Sequence, residues 1–109
     1  MKWSKSEYIE FLVSKKNIKK RVAIDYASRC IRVEKIFDIN LVESTKDVSK
    51  YIDLLKNISV YANQMTLSKK QRYSMGGTMR LAVKRFAEFN SGSCFTKNIS
   101  GHTVKFLVE

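Results

Sequence analysis

The chemistry that this sequence offers is mainly that of cationic side chains. It contains 21 Lys and Arg against 10 Asp and Glu, a formal net charge of +11 at pH 7. Such an excess raises the electrostatic self-energy of a folded domain, and a bound polyanion relieves it. We therefore expect nucleic acid as the partner, rather than membrane, because no lipidation motif or basic amphipathic tail is present. The alternative is that the lysines serve solubility alone and are spread evenly.

The cations are concentrated in two stretches that fall on predicted helices. The predicted DNA-binding residues are Lys19, Lys20, Arg21, Arg29, Arg32, Lys69, Lys70, Arg72, Arg80, Lys84 and Arg85. A helix that buries one stripe and presents cations elsewhere can lie along a groove and release counterions. We predict that the two helices form a cradle for duplex DNA. Arg72 and Arg80 are expected to read base edges, because a guanidinium bonds guanine bidentately. The expected phosphate ligands are Lys19, Lys20, Lys69 and Lys84.

Residues able to catalyse a reaction are scarce. His102 is the only histidine, and no carboxylate pair stands at metal-ligand spacing with it. Cys30 and Cys94 form no C-x-x-C pair, which indicates two free thiols rather than a zinc site or a disulfide. We predict a protein that is not an enzyme and that needs no cofactor and no metal, with Cys30 as a small core residue.

These side chains must be positioned by helices, because the chain has no proline and its four glycines all lie in the last third. Capping boxes, in which a Ser and an acid or Gln three residues later bond each other's amides, predict helix starts. The three capping boxes are Ser4 with Glu7, Ser44 with Asp47, and Ser68 with Gln71. With the apolar spacing, they predict a mainly α fold of four main helices. The predicted helices cover about residues 4–15, 19–37, 44–57 and 69–90, with a turn at 38–43 and a loop at 58–67.

The apolar spacing also predicts which side of each helix is buried. The second helix is expected to bury Val22, Tyr26, Cys30, Val33 and Phe37. The third is expected to bury Val48, Tyr51, Ile52 and Leu55, and the fourth Met75, Met79, Ala82, Val83, Phe86 and Phe89. Two glycines, Gly76 and Gly77, interrupt the fourth pattern. Close packing against another helix is the favoured explanation, and close approach to a phosphate backbone is the alternative.

The carboxy-terminal segment has a different period. Val104, Phe106 and Val108 occupy alternate positions, which is typical of a strand and permits a hairpin with residues 93–97. We therefore divide the chain into a helical DNA-binding bundle, residues 1–90, and a short β-like extension, residues 91–109.

The order of these pieces resembles the helical core-binding, SAM-like domain that precedes the catalytic domain of phage integrases and other tyrosine recombinases. The similar blocks are Tyr8 to Leu12, Tyr26 with Ile31 to Phe37, Ile39 to Ile52, and Met79 to Phe89. The resemblance implies a domain that clamps one face of a DNA duplex, with its second and fourth helices near the major groove. The family's catalytic residues lie in a second domain that has no counterpart here, so the resemblance implies a DNA-binding module or small mobile-element regulator and no recombination.

Two other functions stay open. One is a basic protein-interaction module, such as a phage or plasmid inhibitor of an acidic host or defence protein, that pairs through a strand at residues 103–108. The other is binding of RNA or single strands, with Tyr61, Tyr73 or Phe95 as stacking platforms. The polar amino terminus and the absence of a long apolar run predict a cytoplasmic protein without a membrane partner. The oligomeric state is left open.

Overall fold

Helices make up most of the fold, as the sequence predicts. The computed structural model describes residues 3–91, 96–99 and 102–105. The helices are α1 (Lys5–Lys15), α2 (Lys20–Phe37), α3 (Leu41–Ser44), α4 (Val48–Asn63) and α5 (Lys69–Ser91). The strands are β1 (Thr96–Ile99) and β2 (His102–Lys105). The predicted mainly α class is therefore confirmed.

Two of the three predicted capping boxes mark real helix starts. At α1, the Ser4 hydroxyl accepts a hydrogen bond from the amide of Glu7 at 3.2 Å. At α5, the Gln71 amide donates to the Ser68 hydroxyl at 3.2 Å, and the Ser68 amide donates to the Gln71 side chain at 3.1 Å. These bonds satisfy amides that the first turn of a helix leaves without intrahelical partners.

The box at Ser44 and Asp47 is wrong, because a short helix ends there. Ser44 closes the single turn of α3, where only a turn was predicted. Asp47 is itself the amino-terminal cap of α4, and its carboxylate accepts from the amides of Ser49 and Lys50 at 2.8 and 3.2 Å. Asp is as good an amino-terminal cap as Ser. The same segment is therefore compatible with a helix that begins after Ser44 and with one that begins after Asp47.

Helix α4 is longer than predicted, and its buried face explains the extension. Its buried residues are Tyr51, Leu54, Leu55, Ile58 and Ala62. The stripe thus continues past residue 57, where a loop was predicted, and the helix ends only at Asn63. Of the predicted core positions, Val48 and Ile52 are only half-buried, since they flank this stripe.

Helix α2 buries a face about one residue away from the predicted one. Its buried residues are Ala23, Ala27, Cys30 and Val33, whereas Val22 is 38% exposed and Tyr26 and Phe37 are half-buried. The predicted buried face is the one that carries the larger apolar side chains. Because alanine lets neighbouring helix backbones approach closely, the tightest contacts of α2 form on its small-residue side and the larger side chains lie at the margin.

An aromatic cluster joins α1 to α5. The ring of Phe86 lies 5.0 Å from that of Trp3 and 5.6 Å from that of Tyr8, spacings at which aromatic pairs attract beyond their buried area. Phe89 extends the cluster toward Phe11. The Tyr8 hydroxyl donates to the backbone carbonyl of Ala82 at 3.0 Å, so the one polar atom of that buried ring is satisfied.

The two adjacent glycines of α5 stand in different surroundings. Helix α5 runs through both. A Cβ at Gly76 would stand 3.2 Å from Cβ of Ala62 in α4 and 2.9 Å from Nη1 of Arg80, whereas a Cβ at Gly77 would meet nothing within 4 Å. The helix-packing explanation is therefore correct for Gly76. No side chain or backbone contact in the described chain requires glycine at Gly77.

This contrast predicts opposite effects of two adjacent substitutions. We expect Gly77→Ala to raise the free energy of unfolding by about 0.5–1 kcal/mol, because alanine favours a helix over glycine. Gly76→Ala should instead lower it by about 1 kcal/mol, since overpacking against Ala62 outweighs the same gain. Urea denaturation of both variants beside the wild type measures the two changes. Equal stabilisation by both substitutions would mean that α4 and α5 are not in close contact at Gly76.

The carboxy-terminal strands form an antiparallel pair. Thr96 stands opposite Lys105 and Ile99 opposite His102, so β1 reaches two residues beyond the predicted strand end at Lys97. The remaining predicted pairing, residues 93–95 and 106–108, lies outside the described residues.

Candidate nucleic-acid interface

The predicted DNA-binding residues lie on different faces of the bundle. Helix α2 packs on α5 where the Cys30 thiol lies 3.4 Å from the carbonyl of Ala82. Arg32 is two residues from Cys30. Arg80 and Lys84 are likewise each two residues from Ala82. A separation of two residues corresponds to about 200° of rotation around a helix. Each set therefore points away from the α2–α5 contact. Arg32, on the one hand, and Arg80 and Lys84, on the other, therefore do not face a common cradle.

The outer face of α2 carries cations and an acid together. Lys19, Lys20, Arg21 and Arg32 are exposed, and so is Asp25. The guanidinium of Arg29, which is half-buried, lies 5.9 Å from the ring centre of Tyr26. This face therefore offers positive charge interrupted by a carboxylate.

The other basic stretch belongs to a part of the chain without acids. Residues 54–87 contain seven cations and no Asp or Glu, whereas eight of the ten acids precede residue 54. The seven are Lys56, Lys69, Lys70, Arg72, Arg80, Lys84 and Arg85. All seven lie on α4 and α5, whose carboxylates stand just outside the run at Asp53 and Glu88, and Glu88 pairs with Arg85. Most of the positive potential along the run is therefore not neutralised by a carboxylate of these two helices.

Helices α4 and α5 run antiparallel and are in contact along their length. Ala62 lies beside Gly76, and the Ser59 hydroxyl accepts from Arg80 at 2.8 Å. Lys56 is one turn before Ser59 and Lys84 one turn after Arg80, so both lysines lie at the same level of the helix pair. We call Lys56, Lys69, Lys70, Arg80 and Lys84 the basic face. Lys56 was missed by the sequence prediction, although the acid-free run from 54 to 87 includes it.

Two of the predicted arginines already make contacts within the protein. Nη1 of Arg80 bonds Ser59, and its guanidinium lies in the space that Gly76 leaves open. Nη1 of Arg85 bonds Glu88 at 2.9 Å, and the other oxygen of Glu88 pairs with Lys16. Arg80 thus links α4 to α5, and Arg85 shares its charge with a carboxylate. Their roles in DNA binding stay predictions.

The buried thiol is a structural group. Cys30 is fully buried and, like the Tyr8 hydroxyl, donates to the carbonyl of Ala82. Burial raises the pKa of the Cys30 thiol to about 12, so it stays protonated at neutral pH and is a poor nucleophile. The prediction that Cys30 is a core residue is confirmed, and Cys94 lies outside the described residues.

The same burial predicts loss of stability in alkali. The unfolded chain ionises this thiol near its ordinary pKa of 9.0, so the stabilisation is complete below about pH 9 and is lost as pH rises toward the folded pKa. In a Cys94→Ser background we expect the Cys30 thiol to contribute a fall of about 1 kcal/mol in the free energy of unfolding between pH 9 and pH 10. Urea denaturation across this interval measures it. Cys30→Ala should reduce the fall by about this amount without abolishing it, because burial also raises the pKa of Tyr8 and of Tyr51. An equal fall in that variant would assign it to other groups.

Other kinds of site find less support. Within residues 3–91, 96–99 and 102–105, no group of three or more His, Cys, Asp or Glu is placed to hold a metal ion. A cleft of about 450 Å³ lies between the α2–α3 connection and α4. Its lining includes the carboxylates of Asp38, Glu43 and Asp53 beside Lys50, a charge balance that disfavours phosphate. None of the helices in the described part combines the length and apolar content of a bilayer span.

Comparison of the chain with protein-family models, with curated proteins and with solved structures finds no match.

Proposed function

We propose that the protein is a DNA-binding module that holds duplex DNA against the basic face of α4 and α5. The observation that carries this proposal is the run of residues 54–87, which has seven cations and no acid. Lys56, Lys69 and Lys70 are exposed and Lys84 is half-buried, so their ammonium groups are available to phosphates. Neutralising phosphates releases the counterions condensed on DNA, which is the main source of sequence-independent affinity.

The arrangement of the face also favours a long, regularly charged partner. Lys56 and Lys84 lie across from each other on two helices, whereas Lys69 and Lys70 lie at the far end of α5, about four turns from Lys84. At about 1.5 Å per residue, 14 residues separate positions 70 and 84 by about 21 Å, a distance that several successive phosphates span. A small anion would occupy only part of this face.

The resemblance to the core-binding domain of tyrosine recombinases agrees with this proposal for α5 but not for α2, whose outer cations lie away from the basic face, and we extend it no further than DNA binding. In that family's arrangement the second and fourth main helices approach the DNA. Here α5, which corresponds to the fourth, carries most of the basic face, and we propose it as the principal DNA-contacting helix.

The test is an anisotropy titration of the purified protein with random-sequence duplex at several salt concentrations. We expect dissociation constants of about 1–100 µM near physiological salt, with log K falling by about 0.9 for each phosphate contacted as log salt rises. Four to five contacts on the basic face would produce a slope of about −4. Absence of binding at low salt would refute the proposal, and a stable complex with an acidic protein in its place would favour the protein-interaction alternative.

A further inference from the structure

Tyr73, which lies on α5 between Lys70 and Arg80 of the basic face, is unusually exposed. It lies on the second turn of α5, inside the helix rather than at a terminus. Its side chain is 79% exposed, against 55% for Val60 and 37–40% for the other exposed large hydrophobic residues that the structure describes. An aromatic ring left in water forgoes the transfer free energy that burial would yield. The ring is thus available to a partner and does little for the fold.

The residues around Tyr73 on α5 are cationic or very small. Lys69 and Lys70 precede it by four and three residues, and helical side chains lean toward the amino terminus, so the ring lies over the turn that carries both lysines. Gly77, four residues after Tyr73, leaves the helix surface open on the other side. One edge of the ring is therefore flanked by ammonium groups, and the other is open to an approaching flat group.

We propose that Tyr73 is a stacking platform for an unpaired nucleic-acid base, with Lys69 and Lys70 neutralising the phosphates beside that base. The inference rests on the proposed function and adds the substrate class: a duplex that carries a single-stranded overhang or another exposed base. Stacking on an aromatic ring suits any base, because each has a flat π face.

Charge decides between a base and an apolar protein surface as the partner of this ring. A protein that buried Tyr73 would also have to cover Lys69 and Lys70, with no acid of this chain between residues 53 and 88 to pair with them. Burying unpaired ammonium groups costs several kcal/mol. A nucleic-acid strand provides a stacking surface and phosphates within one nucleotide, so it satisfies the ring and the lysines together.

The experiment compares two DNA probes and three variants. The probes are a blunt duplex and the same duplex with a thymidine overhang of about eight nucleotides, within the usual site size for single strands. Tyr73→Leu keeps an apolar side chain but removes the π face, whereas Tyr73→Phe keeps the ring. Val60→Ala is the matched control, since it alters an exposed apolar residue on α4. Because these positions are exposed, the variants should unfold within about 0.5 kcal/mol of the wild type.

We expect the wild type to bind the overhang probe more tightly than the blunt duplex. Tyr73→Leu should reduce affinity for the overhang probe roughly 5- to 150-fold, the usual range for loss of one stacked base, with little effect on the blunt duplex. Tyr73→Phe and Val60→Ala should retain the preference. Equal binding of the overhang probe by Tyr73→Leu and wild type would overturn the stacking inference, while steep salt dependence on blunt duplex would leave the proposed function intact. Failure of the wild type to bind either probe would refute both.

Discussion

Replacing Lys56, Lys70 and Lys84 together by glutamine is expected to weaken duplex binding roughly 500-fold at about 0.1 M salt. Each phosphate contact contributes about −0.9 to the slope of log K against log salt, which is about eightfold in affinity per contact at that concentration. Three lost contacts should also reduce the magnitude of the slope by about 2.7. Anisotropy titrations over a series of salt concentrations measure both quantities.

The opposite face of the bundle offers a matched control. Arg21, Arg32 and Lys35 on α2 are exposed, and their replacement by glutamine removes the same three charges. These residues point away from α5, so we expect an affinity loss of only a few-fold from the lower net charge and almost no change in slope. Equal weakening by both triple variants would show that binding follows net charge alone and would refute the basic face as the contact surface.

Phe86→Ala is expected to lower the free energy of unfolding by about 3–5 kcal/mol. Phe86 is fully buried and contacts the rings of Trp3, Tyr8 and Phe89, so its removal costs both apolar burial and the attraction between rings. Because a domain of this size is stable by only about 5–15 kcal/mol, this loss is a large fraction of the total. Urea denaturation followed by the fluorescence of Trp3, the only tryptophan, measures it.

Phe89→Ala is the control for this prediction. Phe89 belongs to the same cluster but is half-buried, so its loss should cost less than that of Phe86, since the cost of truncation rises with burial. Phe86→Leu, which keeps most of the volume, should also cost less than alanine. A cost below about 1 kcal/mol for Phe86→Ala would mean that the aromatic cluster is not the core contact between α1 and α5.

Local sequence signals predicted much of the helical structure. The predicted bounds of the first, second and last main helices agree with α1, α2 and α5 to within one residue. Capping at Ser4 and Ser68 depends on atoms three residues apart along the chain, so it can be read before any tertiary contact is known. The same locality explains the error at Ser44: a one-turn helix is too short to have a period, and Asp47 is an equally good cap.

Which side of α2 is buried could not be read from its sequence in the same way. The predicted apolar stripe consists of Val22, Tyr26, Cys30, Val33 and Phe37. The face that packs shares Cys30 and Val33 with this stripe and continues through Ala23 and Ala27 instead of Val22 and Tyr26. The choice between two neighbouring stripes depends on how closely α1 and α5 approach. Close approach of helix backbones favours small residues at the contact. How closely the helices approach depends on α1, α2 and α5 together, so the sequence of α2 alone does not determine it.

The sequence by itself determined that the protein is strongly basic and mainly helical, because net charge is a sum over residues and helical period and capping are local. Only the tertiary structure decided where the charge is directed. It turned Arg32 away from Lys84, joined Arg80 to Ser59, and brought Lys56 level with Lys84. The physical reason is that a helix exposes whatever its neighbours leave uncovered, so the composition of a binding face depends on contacts between residues far apart in the chain.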